Sequence, residues 1–219
     1  LNENSFIRYD VEMSQTNPTL VELTDTEIRL DPYLAERGNL LLKPYSNLNN
    51  NLFYEHKKGL FTFNANLRHH YKHNPIMESV KEQGNIFLII PENMKSWNKY
   101  NAEMNLKVGM IKNILQFSLT GGYNHFNSQG NNYSHEYSNF YYSANVLAMY
   151  KKWMFIVQIQ PFDEKLYGET VIKSGNYHYL AIQYNTDNFS FGIGAFNPFK
   201  NVSRTVIENK NNQAPFRRE

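Results

Sequence analysis

The sequence predicts an all-β fold, an antiparallel meander of about nine or ten strands, from period-two alternation, strand-forming composition and a regular spacing of turns. Alternation is cleanest over residues 61–71, where Phe61, Phe63, Ala65, Leu67 and Tyr71 share one face and Thr62, Asn64, Asn66, Arg68 and His70 share the other. Aromatic residues make up 15% of the 219 residues (16 Tyr, 15 Phe, 2 Trp) and charged residues only 19%, which favours pleated, half-buried surface with polar turns. No helical period of comparable strength competes with it.

The remaining elements follow the same logic. Ala102, Met104, Leu106 and Val108 oppose Asn101, Glu103, Asn105 and Lys107, and Leu115, Phe117 and Leu119 oppose Gln116, Ser118 and Thr120. Residues 140–150 place Phe140, Tyr142, Ala144, Val146 and Ala148 on one side, against a face only partly polar. Segments 153–159, 177–184 and 189–195 complete the set; Gly192 and Gly194 fall inside the last, where small residues relieve crowding.

Connections sort into two sizes. Short turns are expected at 57–59, 109–113, 151–152 and 185–188, and long polar stretches at 14–45, 74–98, 124–136 and 163–176. Within the second stretch, Glu82-Gln83-Gly84-Asn85 reads as a tight turn inside an excursion. Short turns on one rim and long loops on the other are the layout of an outer-membrane barrel. Tyr54, Phe61, Phe63, Tyr150, Trp153, Phe155, Tyr184 and Phe189 cluster near the short turns, as an interfacial girdle would. The longest strongly apolar run, 86–90, is far short of a spanning helix, so any membrane crossing here is made by strands.

Composition excludes several function classes. A formal charge of +2, with basic residues scattered, argues against a nucleic-acid partner. Without cysteine there is no disulfide, thiolate metal site or thiol nucleophile. Nucleotide-binding glycine loops, serine elbows and zinc-protease motifs are absent from the sequence, so no enzyme activity and no cofactor is expected. His69, His70 and His73 form the densest histidine group, but His69 and His73 would lie about 13 Å apart on one face and His70 on the other, so they are expected as solvated rim residues. Asp163, Glu164 and Glu169 are expected as solvated loop acids. Arg68, Lys99, Glu103 and Lys107 are expected to face a lumen, because charge on a lipid face is costly. Tyr133, Tyr137 and Tyr141, with Tyr142 beside them, are the candidate ligand contacts of an outer vestibule, weighed against simple strand packing.

One stretch suggests a family. Gly38-Asn39, with Lys43-Pro44 after a leucine run, follows a possible strand at 9–13 and Asn17-Pro18-Thr19-Leu20, and leads into residues 47–54. Together with Asn74-Pro75-Ile76 and Phe196-Asn197-Pro198-Phe199, this order resembles the barrel of TonB-dependent outer-membrane receptors, with Leu41 where a proline is usual. The resemblance implies a partial barrel over 1–199, a polar loop or tail over 200–219, and a location in the outer membrane. It also implies that the plug and a closing strand lie outside this sequence, as does any signal peptide. The parent would import a large scarce nutrient (a glycan, chelated metal or cofactor), with outer-membrane lipid around it and TonB engaged through the N-terminal part. As an isolated piece, an open or sandwich-like sheet is expected. The competing readings are a soluble β-sandwich that binds glycans or adheres to a surface, and a complete small outer-membrane barrel.

Overall fold

The computed structural model describes residues 4–112, 114–160, 164–173, 177–198, 206–210 and 217–218. Strand β1 (Ser5–Thr16) leads to an excursion holding β2 (Ile28–Asp31) and β3 (Leu34–Glu36). The chain returns as the hairpin β4 (Tyr45–Lys58) and β5 (Phe61–His73), then leaves again as β6 (Ile76–Gln83) and β7 (Ile86–Asn93). The long strands β8 (Ser96–Ile111), β9 (Leu115–Gln129) and β10 (Ser134–Tyr150) follow, then β11 (Trp153–Gln160). A third excursion carries β12 (Glu164–Tyr167) and β13 (Thr170–Lys173) before β14 (Tyr177–Asn185) and β15 (Ser190–Phe196). The last described pieces are β16 (Val206–Asn209) and β17 (Arg217–Arg218).

Nine strands form one antiparallel sheet in the order β1-β4-β5-β8-β9-β10-β11-β14-β15, a meander interrupted only by excursions on one rim. Registers are continuous apart from a shift between Val108 and Ile111 at the β8–β9 turn, so alternation along one strand becomes stripes across the sheet. The rung Leu52, Leu67, Ala102, Tyr123 and Phe140 lies on one face, and the rung Asn51, Arg68, Asn101, Asn124 and Asn139 on the other. Along β8, Tyr100 to Val108 spans about 26 Å by rise, or about 20 Å after a tilt near 40°, close to the apolar band of a membrane barrel.

The apolar face is uncovered by any element among the described residues. Met13 is 79% exposed, Met104 63%, Phe140 84% and Ile193 67%. The buried apolar residues lie elsewhere, chiefly in the excursions. Met77, Met94, Trp97, Phe126, Leu166 and Val171 form one cluster, and Ala35, Leu88 and Ile90 a second. A sandwich would bury a second sheet against this apolar face. No second sheet covers it among the described residues, which removes the β-sandwich reading.

The excursions are ordered. Sheet β2-β3-β7-β6 joins the first two, with β3 and β7 parallel. The resembling motif lies at this junction. Gly38 N donates to Thr24 O (2.9 Å) and Asn39 N to Glu22 O (2.7 Å), while Asn39 Nδ2 reaches Pro91 O on β7 (3.1 Å). A Cβ on Gly38 would stand 2.4 Å from Thr24 O, so only glycine allows this approach. Asn93 then clamps Lys43, accepting from its N (2.8 Å) and donating to its O (2.9 Å). Upstream, Thr19 and Glu22 bond reciprocally in a capping box that turns the chain after Pro18.

One expectation changes, one holds and one is met only in part by the described residues. Residues 124–136 are not a long loop: β9 runs to Gln129 and β10 starts at Ser134, leaving a connection of 130–133. Asn124, Phe126 and Ser128 are buried there, so their side chains support strand where polarity suggested loop. The tight turn at Gly84-Asn85 does occur, joining β6 to β7. Within 200–219, given as a polar loop or tail, the described residues are 206–210 and 217–218: β16 pairs with β13 in the sheet β12-β13-β16-β17, and Lys210 Nζ donates to Glu136 O (3.2 Å). Residues 161–163, 174–176 and 199–205, including Asp163 and Phe199, lie outside the described residues.

Candidate functional site

Two concavities lie on the polar face of the nine-stranded sheet, and β12–β13 folds over its outer end. Arg68, Glu103 and Tyr141 project from it on β5, β8 and β10. Glu103 pairs loosely with Arg68 (Oε1 to Nη2, 3.5 Å) and accepts from the Tyr141 hydroxyl (2.7 Å). Asn101 Nδ2 donates to that same hydroxyl (2.9 Å) and to Asn124 Oδ1 (2.9 Å). Tyr141 reaches both because its ring lies over Gly122, its partner on β9, where a Cβ would come within 2.3 Å of Tyr141 Cζ. The glycine and the tyrosine therefore fit as a pair.

These groups border a concavity of about 570 Å³, lined also by His70, Lys99, Ser143 and Gln160. A second, of about 390 Å³, continues towards the short turns between Asn64, Asn66, Asn105 and Lys107. Asn105 Nδ2 there bridges Ser118 Oγ (3.1 Å) and Thr120 Oγ1 (2.7 Å). The wall is thus mixed in charge and rich in amides and hydroxyls. It can exchange hydrogen bonds with a polar solute without presenting one strong field.

At the outer end the wall turns apolar and is capped. Trp97 and Phe126 point inward under Leu166 and Val171, and Trp97 Nε1 donates to Leu166 O (2.8 Å). Lys72 Nζ lies 5.7, 5.3 and 5.4 Å from the rings of Tyr45, Trp97 and Tyr167, three cation–π contacts. The Tyr167 hydroxyl donates to Ile76 O (2.9 Å), tying the third excursion to the second. Burial pushes the hydroxyls of Tyr167 and Tyr133 up to about 12. Beside the cap, a cavity of about 430 Å³ opens between Val21, Ile28, Glu36, Ile76, Glu78 and Ile89. Surrounding protein, and then Glu36, push the Glu78 carboxyl above its ordinary value, although the residue reaches solvent.

The three predicted tyrosines share the inner side but not one environment. Tyr133 and Tyr137 pack against the cap cluster, Tyr133 stacked on His135 (4.9 Å, 16°) and Tyr137 bonded to Glu164. Tyr141 stands four residues, about 13 Å, further down and borders the concavity. Tyr142 faces outward and is 57% exposed. Arg68, Lys99, Glu103 and Lys107 lie on the polar face as expected, Lys99 over the Phe126 ring (5.3 Å). Glu164 and Glu169 are not solvated loop acids, because β12–β13 folds inward: Glu164 meets Tyr137, and Glu169 is only 6% exposed. Histidine faces split as predicted. His69 stacks on Tyr100 outside, His70 meets Trp97 edge-on inside, and no metal-binding group occurs among the described residues. Asn101, Asn124 and Gly122 were invisible as site residues, since only the cross-strand register brings them to Tyr141.

Comparison with known proteins agrees with this geometry. The siderophore receptor PirA from Pseudomonas aeruginosa has a similar structure (TM-score 0.65, 14% identity), and the likeness covers 91% of this chain and 37% of the receptor chain. At that identity it speaks for the fold. No curated protein is similar enough to count as a relative. Residues 1–218 match the outer membrane protein beta-barrel family, and the chain belongs to that family, an outer-membrane protein whose strands form barrel wall.

Proposed function

We propose that this chain is the barrel wall and outer loops of a TonB-dependent outer-membrane receptor that imports a large scarce nutrient, a chelated metal, glycan or cofactor. The observation that carries this reading is the polar inner wall closed at its outer end by interlocked excursions, which suits a capped conduit. The likeness to a siderophore receptor, of which this chain spans 37%, supports it. So do the sheet edges: β1 and β15 each pair on one side only among the described strands. Unpaired backbone in lipid costs several kcal/mol per group, so further strands complete the wall in the membrane. In this reading the chain performs no covalent chemistry and binds no nucleic acid, bilayer lipid surrounds the apolar face, and TonB is engaged through an N-terminal part of the parent.

The test is to isolate outer membranes and size the protein carrying these peptides, then ask whether an immobilised TonB periplasmic domain retains it. A retained membrane protein several times heavier than 25.8 kDa is expected. A soluble product of 25.8 kDa, or a membrane protein that TonB does not retain, overturns the proposal.

A further inference from the structure

At its outer margin the apolar belt ends on a rung that is neither apolar nor formally charged. Asn50, His69, Tyr100, His125 and Ser138 are consecutive partners across β4, β5, β8, β9 and β10, all facing outward. The rung is tied together. Tyr9 donates its hydroxyl to Asn50 Oδ1 (2.9 Å), His69 stacks on Tyr100 (4.6 Å, 9°), and His125 Nδ1 bonds Ser138 Oγ (2.8 Å). One rung further out, Asn127 Nδ2 donates to Glu136 Oε1 (3.1 Å), which places a carboxylate above the row.

Directly below, an almost wholly apolar groove of about 380 Å³ runs between Tyr9, Leu52, Leu67, Ala102 and Tyr123; Asn50, His69 and Tyr100 of the rung border it, as do Asn101 and Arg68, whose guanidinium pairs with Glu103 on the opposite face. Its cause is Ala102, a small side chain between the rings of Tyr100 and Tyr123. The groove lies on the face that the outer membrane covers, and its open end meets the polar rung.

We infer that this groove and rung form a seat for one outer-leaflet lipid with a glycosylated head, an acyl chain lying over Ala102 and the head resting on the rung. The groove supplies apolar surface, which favours a chain. The rung supplies amide, imidazole and hydroxyl groups and an aromatic face, which suit sugar hydroxyls. A bare phosphate would call for Arg or Lys, of which the rung has none, and would meet Glu136 above it. The site depends on the outer-membrane location and not on what the barrel carries.

The test uses the intact protein purified from outer membranes and exchanged into phosphatidylcholine nanodiscs. These are doped with glucosyl-diacylglycerol or with phosphatidylglycerol of the same acyl chains, and native mass spectrometry counts the lipid retained. The wild type is expected to retain the glucosyl lipid at least about tenfold more than phosphatidylglycerol, a difference of about 1.4 kcal/mol. Ala102→Phe, which fills the groove, is expected to abolish the preference, and Ala144→Phe, elsewhere on the belt, to leave it intact. Should Ala102→Phe fail to fold, His69→Leu tests the rung in its place and is expected to abolish the preference. Equal retention of both lipids, preference for phosphatidylglycerol, or a preference unchanged in Ala102→Phe or His69→Leu overturns the inference.

Discussion

Met104→Arg tests the assignment of faces most directly. Met104 stands on β8 between Ala65 and Gly121, 63% exposed, four residues from Tyr100 on one side and four from Val108 on the other. It is therefore near the middle of the apolar belt. An arginine at the midplane of a membrane strand costs about 2 to 4 kcal/mol, a factor of roughly 30 to 800 in the folding equilibrium. On a water-exposed sheet the same change would cost within about 0.5 kcal/mol. Asn145→Arg serves as the control, since Asn145 borders the inner concavity and an arginine there remains hydrated. The assay is urea unfolding of the intact protein in phospholipid vesicles, followed by fluorescence and by mobility on unheated gels. A loss of 2 kcal/mol or more for Met104→Arg beside a near-neutral Asn145→Arg is expected. Equal small effects of the two would refute the argument that lipid covers this face.

Two further outcomes follow. Gly122→Ala forces the Tyr141 ring away and breaks its bonds to Glu103 and Asn101, for an expected loss of about 1 to 3 kcal/mol; in a double-mutant cycle with Tyr141→Ala the loss should largely vanish, and purely additive losses would exclude the pairing. Glu78, whose carboxyl is held above its ordinary value by burial and then by Glu36, lowers cap stability as pH rises from its unfolded value near 4.5; below that value both states are protonated and the penalty is absent, so Glu78→Gln should flatten the pH dependence of amide exchange in β6 and β7, and an unchanged profile would contradict the assignment.

Much of the wall was legible in the sequence because each long strand alternates over its own length. Residues 61–71 and 101–108 declare their faces without help, and the short turn joining β4 to β5 leaves that pair little freedom of register. The excursions were harder to read. Strands β3 and β7 pair from distant segments, and β13 with β16 likewise, so nothing local announces the partner. The inner cluster was half legible: Arg68 and Glu103 reveal themselves as charges on alternating strands, whereas Asn101 and Gly122 acquire meaning only opposite Tyr141. Residues 124–136 misled because their polar side chains are bonded to neighbouring strands, a pattern indistinguishable from a loop before those strands are in place.

The parallel pairing of β3 with β7 also sets an order of events. Leu34 meets Phe87, about fifty residues along the chain, whereas the β4–β5 hairpin between them closes across two residues. Each doubling of a flexible loop adds about 0.6 kcal/mol of closure entropy, and contacts between distant segments form slowly. Once β4 and β5 have zipped together, the intervening chain is folded back on itself and the remaining gap is short. The cap therefore assembles after the wall that supports it. Mutations at Gly38 or Asn39 are expected to show themselves in a late kinetic phase, while the early rate follows the hairpins.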